Sequence, residues 1–260
     1  MTNLAANRAL VPPHVSAIAG GLAVSRLRVY DELAPDGWAG GSPHMHLACS
    51  EAYVVLGGAG SVELLSLRDG YQRFELRAGD AVQFDPGVVH RLVNDGELEI
   101  LVLMQNAGLP ENGDAVFTFG AEILANDETY RQHASIDSIE GALARRDHAV
   151  AGMDVLKEGF AGSLEDGRRL LSAFQRRGAE LVKASASAWL DIVEAGPGAA
   201  VVETRERVER ILGGEPIDLD SAHAMRIVAA AERLGMCGRL NPFAIEGTRV
   251  PGSSPLDRPR

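Results

Sequence analysis

Residues 41–58 read GSPHMHLACSEAYVVLGG, and residues 79–94 read GDAVQFDPGVVHRLVN. Three imidazoles (His44, His46 and His90) and one carboxylate (Glu51) thus fall in two short β-like stretches. Side chains two apart in a strand share a face, so His44 and His46 can reach one point together. Glu51 stands at the entry to the strand-like run 52–56, and His90 comes from a separate strand. Neutral imidazole and carboxylate at this density suit a divalent transition metal. A lone His-x-His pair is a weak signal, but three of the seven histidines belong to this pattern. The other four, His14, His133, His148 and His223, show no ligand spacing and are expected at the surface or as caps.

Around these stretches the chain alternates like a β protein. The run 22–30, LAVSRLRVY, has period-two character. A Gly- and Pro-rich turn at 35–43 leads into the His-x-His strand. Strong turn chemistry at Gly57-Gly58-Ala59-Gly60 predicts a hairpin between strands 52–56 and 61–67. Another turn at Arg68-Asp69-Gly70 precedes strand 73–77, and Gly79-Asp80 opens strand 81–84. Pro86-Gly87 turns into strand 90–93, Asp95-Gly96 signals a further hairpin, and 98–104 is the most apolar strand. Short strands separated by turns point to an antiparallel sandwich or barrel. A jelly roll is the physical solution, because a sheet folded over itself buries one face and limits exposed edges.

The same residues resemble the paired motifs of the cupin superfamily, Gly-x5-His-x-His-x3,4-Glu-x6-Gly followed by Gly-x5-Pro-x-Gly-x2-His-x3-Asn. His44, His46, Glu51 and Gly58 fit the first, and Gly79, Gly87, His90 and Asn94 fit the second. Two turn positions depart: Trp38 stands at the first motif's opening glycine, and Asp85 at the second motif's proline, with Pro86 one place later. The resemblance covers roughly residues 20–120. It implies a jelly-roll barrel with the four ligands facing inward near one mouth, screened by apolar walls such as Val55 and either Leu101 or Val102. It also implies a homodimer formed through an edge sheet.

After about residue 122 the apolar spacing turns helical. Helices are expected at 127–134, 138–146 and 150–160. Another is capped by Ser163, with acids in its first turn, and stops at Gly178. Further helices are expected at 179–195, broken by Gly196-Pro197-Gly198, at 199–212, and at 220–234 with Asp220-Ser221 as cap and Gly235 as stop. The expected organisation is an N-terminal arm (1–20), a β-barrel (21–122), a helical region (123–240) and a flexible tail (241–260). The helical region is either a separate bundle or a wrap on the barrel and its dimer mate.

Composition narrows the function. The chain has 260 residues, 46% hydrophobic and 23% charged, with a net charge of -11. That balance argues against an extended phosphate-binding face. The pairs Arg145-Arg146, Arg168-Arg169 and Arg176-Arg177 are read as solvated helix faces, and no basic recognition helix supports a helix-turn-helix in 164–195. Two distant cysteines, Cys49 and Cys237, form no disulfide framework and fit a reducing cytoplasm. No stretch has the roughly eighteen apolar residues that a membrane span needs. The expected partners are a small-molecule substrate or ligand and, as the resemblance implies, a second copy of the chain, with neither nucleic acid nor membrane.

Four protein ligands leave two positions open on an octahedral metal and one on a five-coordinate metal, which separates a catalytic from a structural site. Iron, manganese, nickel, cobalt, zinc and copper all suit three histidines and a glutamate. Tyr53, which shares the parity of Glu51, and Gln83, polar in an apolar strand, are pocket candidates. Cys49 is read as buried filler, and Arg91 as pointing away from the metal. The expected function is metal-dependent oxygenation or isomerisation of a small polar organic molecule. The alternative is a non-catalytic binding or regulatory protein whose helical half docks a partner.

Overall fold

The computed structural model of the chain describes residues 18–245 apart from positions 218 and 221. Most of the expected arm, Ser221 and the tail beyond residue 245 lie outside these. The fold is built on one long ribbon. Strands β3 (Glu51–Ser66) and β6 (Val89–Met104) pair antiparallel along their length, from Glu51 opposite Met104 to Leu65 opposite Val89. The hairpins predicted at 57–60 and 95–96 do not form; the chain runs through both. The pairing register shifts between Val55 and Gly60 instead, where β-bulges bend the two strands together. Gly58 has φ +72°, and a Cβ there would lie 2.1 Å from the Glu97 carbonyl oxygen. The glycine run is therefore a corner at which the ribbon folds over, not a turn that reverses it.

The remaining strands extend this folded ribbon into a jelly-roll barrel. Strand β4 (Gly70–Arg77) pairs with the far half of β3, and β5 (Ala81–Phe84) with its near half. Strand β1 (Ala23–Val29) pairs with the end of β6. The short β2 (His44–His46) lies between β6 and β7 (Ala115–Phe117), with His44 opposite His90. The predicted helix at 220–234 is corrected: β8 (Ile227–Ala229) and β9 (Arg233–Leu234) are strands. Both pair with β10 (Gly238–Ile245), whose first residues fall in the predicted helical region and whose last were assigned to the tail. Strand β10 in turn pairs with β1. An open strand edge supplies backbone partners that outweigh weak local helix preference.

Between β7 and β8 the chain is helical: α1 (Ala121–Leu124), α2 (Asp127–Ala134), α3 (Ile139–Gly162), α4 (Leu164–Val182), α5 (Ala186–Val193) and α6 (Ala199–Leu212). Ser138 and Ser163 cap α3 and α4, each hydroxyl accepting from the backbone N–H three residues on. The two helices expected at 138–146 and 150–160 are one. Gly178 does not stop α4; it packs against Met45, where a Cβ would come within 2.6 Å of the methionine methyl. Gly196-Pro197-Gly198 does not break the chain either, but sits in a π-helical turn leading into α6. The wider turn accommodates the hydrogen-bond donor that proline lacks.

Two apolar cores result. One fills the barrel, with Leu27, Val55, Leu64, Leu92 and Ile100 among its residues. The other lies between barrel and helices, joining Met45, Leu65, Val89 and Val116 to Met153 and Leu171. Met153 and Leu171 are almost fully buried, each contributing about 1.5–3 kcal/mol through burial. The helical region is thus a wrap on the barrel. Gly152 makes the approach close, since a Cβ would lie 1.6 Å from the Thr118 carbonyl oxygen. The Thr118 hydroxyl donates to the Ala149 carbonyl at 2.7 Å. Among the described residues no helix is long and apolar enough to cross a membrane.

Candidate metal centre

The four predicted ligands meet. One donor atom from each of His44, His46, Glu51 and His90 lies within 4.8 Å of the others, and all four residues are buried. The sheet explains the meeting. His44 is register partner of His90 across the β2–β6 pair, which sets their Nε2 atoms 3.1 Å apart. His46 follows two residues on, on the same face. Glu51 begins β3, and its Oε2 is 3.1 Å from His90 Nε2 and 3.5 Å from His46 Nε2.

Hydrogen bonds fix which ring nitrogen faces the centre. His44 Nδ1 lies 2.8 Å from the Ser42 carbonyl, and His90 Nδ1 lies 3.2 Å from that of Val88. A carbonyl only accepts, so each Nδ1 carries the proton and each Nε2 presents a lone pair. Two lone pairs facing at 3.1 Å beside a carboxylate oxygen repel, unless a cation stands between them. Two donors at right angles, each about 2.1 Å from a shared metal, stand about 3.0 Å apart. The chemistry and spacing of the donor set therefore fit a divalent metal. His46 Nδ1 pairs with Asp114 Oδ2 at 3.1 Å, a carboxylate–imidazole pair that orients the ring and raises its basicity.

Burial pushes His44 well below the usual imidazole range, and the neighbouring His90 and His46 act in the same direction. At His46 burial also opposes charge, but the Asp114 hydrogen bond and the Glu51 and Asp114 charges outweigh it and raise the group. Burial works to raise Glu51, yet His90 and His46 hold it below the usual carboxylate range. The Tyr53 hydroxyl is pushed well above its ordinary value by burial and by the charge of Glu51, so it keeps its proton.

The cluster lies at the wall of a cavity of about 310 Å³, which Val102, Met104 and Leu240 also line. Of the two wall residues left open by the sequence, Val102 faces the cavity; it stands opposite Tyr53 across the β3–β6 pair. Tyr53 lines the cavity. Gln83 does not: it is exposed on β5, because alternation along this short strand turns Phe84 inward instead. Cys49 is buried among Met45, Val116 and their neighbours and takes no part in the cluster. Arg91 points away from the centre, towards Asp36 and Glu63.

Three features were missed in the sequence. Asp114 belongs to no motif and lies 68 positions from His46. Arg145, read as solvated, is buried and lines the cavity, while Arg146 is buried against the carbonyls of Glu32 and Leu33. Residues 233–237, read as a helix end, form part of the cavity wall. An arginine next to another arginine gives no sign of which one faces inward until the helix is docked.

Comparison with known proteins bears on the barrel. Residues 30–104 match the family model described as "Cupin domain". No curated protein matches the chain. Similar solved structures include a nucleoside dehydratase of Streptomyces, 18% identical, covering 38% of this chain and 69% of its own, with a TM-score of 0.29. A cupin protein of Bacteroides fragilis is 22% identical, covering 32% and 63%, with a TM-score of 0.24. A TDP-fucose-3,4-ketoisomerase of Campylobacter jejuni is 16% identical, covering 31% and 58%, with a TM-score of 0.27. None of these likenesses bears on activity. Barrel architecture, motif spacing and the family match agree: residues 30–104 of this chain are a cupin domain.

Proposed function

We propose that the chain is a metal-dependent enzyme that oxygenates a small polar organic molecule, with His44, His46, Glu51 and His90 holding the metal. The observation that carries this reading is the convergence of four buried donors at the wall of a cavity large enough for a small molecule. These residues would hold a redox-active divalent metal, which would supply the one-electron chemistry that reaction with dioxygen requires. The protein's own groups hold and orient. Backbone carbonyls and Asp114 fix the imidazoles, Val102, Met104 and Leu240 supply apolar wall, and Tyr53 lines the cavity beside Glu51.

Oxygenation is favoured over isomerisation by what else lines the cavity. Isomerisation needs a free base beside the reacting carbon. With the four ligands committed, the remaining acidic groups of the wall are Tyr53 and Cys237, both buried, and Glu111, paired with Arg233 at 3.3 Å. The non-catalytic alternative has less support, because α3 contributes to the cavity wall and so serves the site itself.

Anaerobic reconstitution with each candidate metal, followed by oxygen-uptake assays with small organic acids and phenols, tests the reading. Uptake that requires the metal is expected. Absence of uptake with every metal would overturn it, and turnover of sugars or keto acids without oxygen would replace it by isomerisation. A homodimer also belongs to the proposal; the exposed Val201, Val202, Ile211 and Leu212 of α6, where no residue is buried, support it on that helix and not through the edge sheet expected from the resemblance. Light scattering that returns the mass of a single chain would remove it.

A further inference from the structure

We infer that Arg145 is the anion receptor of the cavity and that the molecule taken there is a small carboxylic acid with an apolar body. This rests on reading the cavity as a substrate site. Arg145 is 6% exposed and lines the same cavity as His44, Glu51 and Tyr53. Its terminal nitrogens donate to the Gly235 carbonyl at 2.7 Å and the Ala134 carbonyl at 3.3 Å, while Nε is buried with no partner. Among the described residues no carboxylate pairs with it. The other two buried arginines differ: Arg91 has Asp36 and Glu63, and Arg146 has Asp147. The other cation of the cavity wall, Arg233, faces Glu111.

A buried guanidinium without a counter-charge is costly, and a bound anion relieves that cost. Two carbonyls already hold the group in place, so little ordering remains when a ligand arrives. One guanidinium without a carboxylate partner offers one unit of compensating charge, which a carboxylate monoanion matches. Leu27, Val102, Met104 and Ile136 supply apolar wall for the rest of the molecule. Phe117 relates the two ends of the site. Its ring lies 4.7 Å from the Arg145 guanidinium carbon and 5.9 Å from the His44 ring. Arg145 and His44 both line the cavity, so an acid seated on Arg145 stands within reach of the histidine cluster.

The test is calorimetric titration of chelator-treated full-length protein with acetate, 2-hydroxypropanoate and benzoate, each against its neutral amide. Metal uptake is measured on parallel samples by elemental analysis. At least one acid is expected to bind about tenfold or more tighter than its amide. Arg145→Gln should abolish that preference and Arg145→Lys should keep part of it. The inference is overturned if acid and amide bind within about twofold of each other, or if no acid binds at concentrations on the order of 10 mM. Preference retained by Arg145→Gln would overturn it too, leaving Arg145 a purely structural anchor for residue 235. Should that variant not fold, the acid–amide comparison in the unaltered protein decides. Failure of metal uptake would remove the proposed function and leave this comparison standing; uptake without acid preference would do the reverse.

Discussion

At the scale of single residues, the proposed metal centre would depend on groups outside the four donors as much as on the donors. Asp114 is fully buried and binds His46 Nδ1 while accepting the backbone N–H groups of Leu47 at 3.0 Å and Ala48 at 2.7 Å. It therefore fixes both the ring and the loop after β2. Asp114→Asn keeps the size but removes the charge, and should weaken metal affinity about 10–100-fold, read by competition with a chelator of known affinity. Unchanged affinity would make Asp114 a loop anchor alone. His46→Ala and His90→Ala should each lower bound metal about tenfold or more by elemental analysis, with the barrel's circular dichroism retained. The clustering of His44, His46, Glu51 and His90 was legible in the sequence because motif spacing and strand parity act over a few residues. Asp114 and Arg145 were not, because their positions depend on β7 meeting β2 and on α3 docking against the barrel.

At the scale of elements, the β3–β6 ribbon decides the shape. Glycine-rich stretches carry the same local chemistry whether a strand reverses or bends, so the sequence reading placed hairpins where the structure has a corner. The distinction lies in the partner strand: Gly58 sits against the Glu97 carbonyl, and Glu97 itself has φ 50°. Gly58→Ala should cost about 2 kcal/mol or more in urea unfolding, through strained φ and the contact with Glu97. A cost below about 0.5 kcal/mol would argue against the corner.

Strand β6 also carries a buried charge cluster on the side opposite the metal. Arg91 pairs with Asp36 and Glu63, and Glu63 accepts from Lys157 of α3 at 2.7 Å and from Tyr71 of β4 at 2.8 Å. The cluster ties barrel to helix. Arg91→Met would strand these carboxylates and should cost about 3–5 kcal/mol, while bound metal stays unchanged because Arg91 faces away from His90. Burial works to raise Asp36, but the Arg91 hydrogen bond and charge outweigh it and hold the group below its ordinary value. Its stabilisation is therefore present at neutral pH and is lost as pH falls through the carboxylate range. Melting temperature against pH should show that acid limb, shallower in Arg91→Met.

At the scale of the molecule, the helical half and the C-terminal strands complete the cavity and do not form a separate module. Helix α3 brings Arg145 to it, and residues 233–237 wall it beside β1 and β6. The β character of residues 21–104 and most helix positions were readable, since alternation and helical spacing are local signals. The placement of β8, β9 and β10 was not. Those strands exist because β1 offers an open edge more than two hundred residues earlier in the chain, opposite Leu240 at Leu27. Truncation before Gly238 removes that partner and part of the wall, and should lower the melting temperature by roughly 5 °C or more; an unchanged transition would detach the strand from the fold's stability.

All of these scales meet at one point in space. Anomalous diffraction at the absorption edge of the bound metal, from crystals of protein reconstituted with it, locates that point directly. The account predicts a single strong peak about 2.0–2.2 Å from Nε2 of His44, His46 and His90 and from a Glu51 carboxylate oxygen. A peak elsewhere, or imidazoles turned away from a common centre, would contradict it.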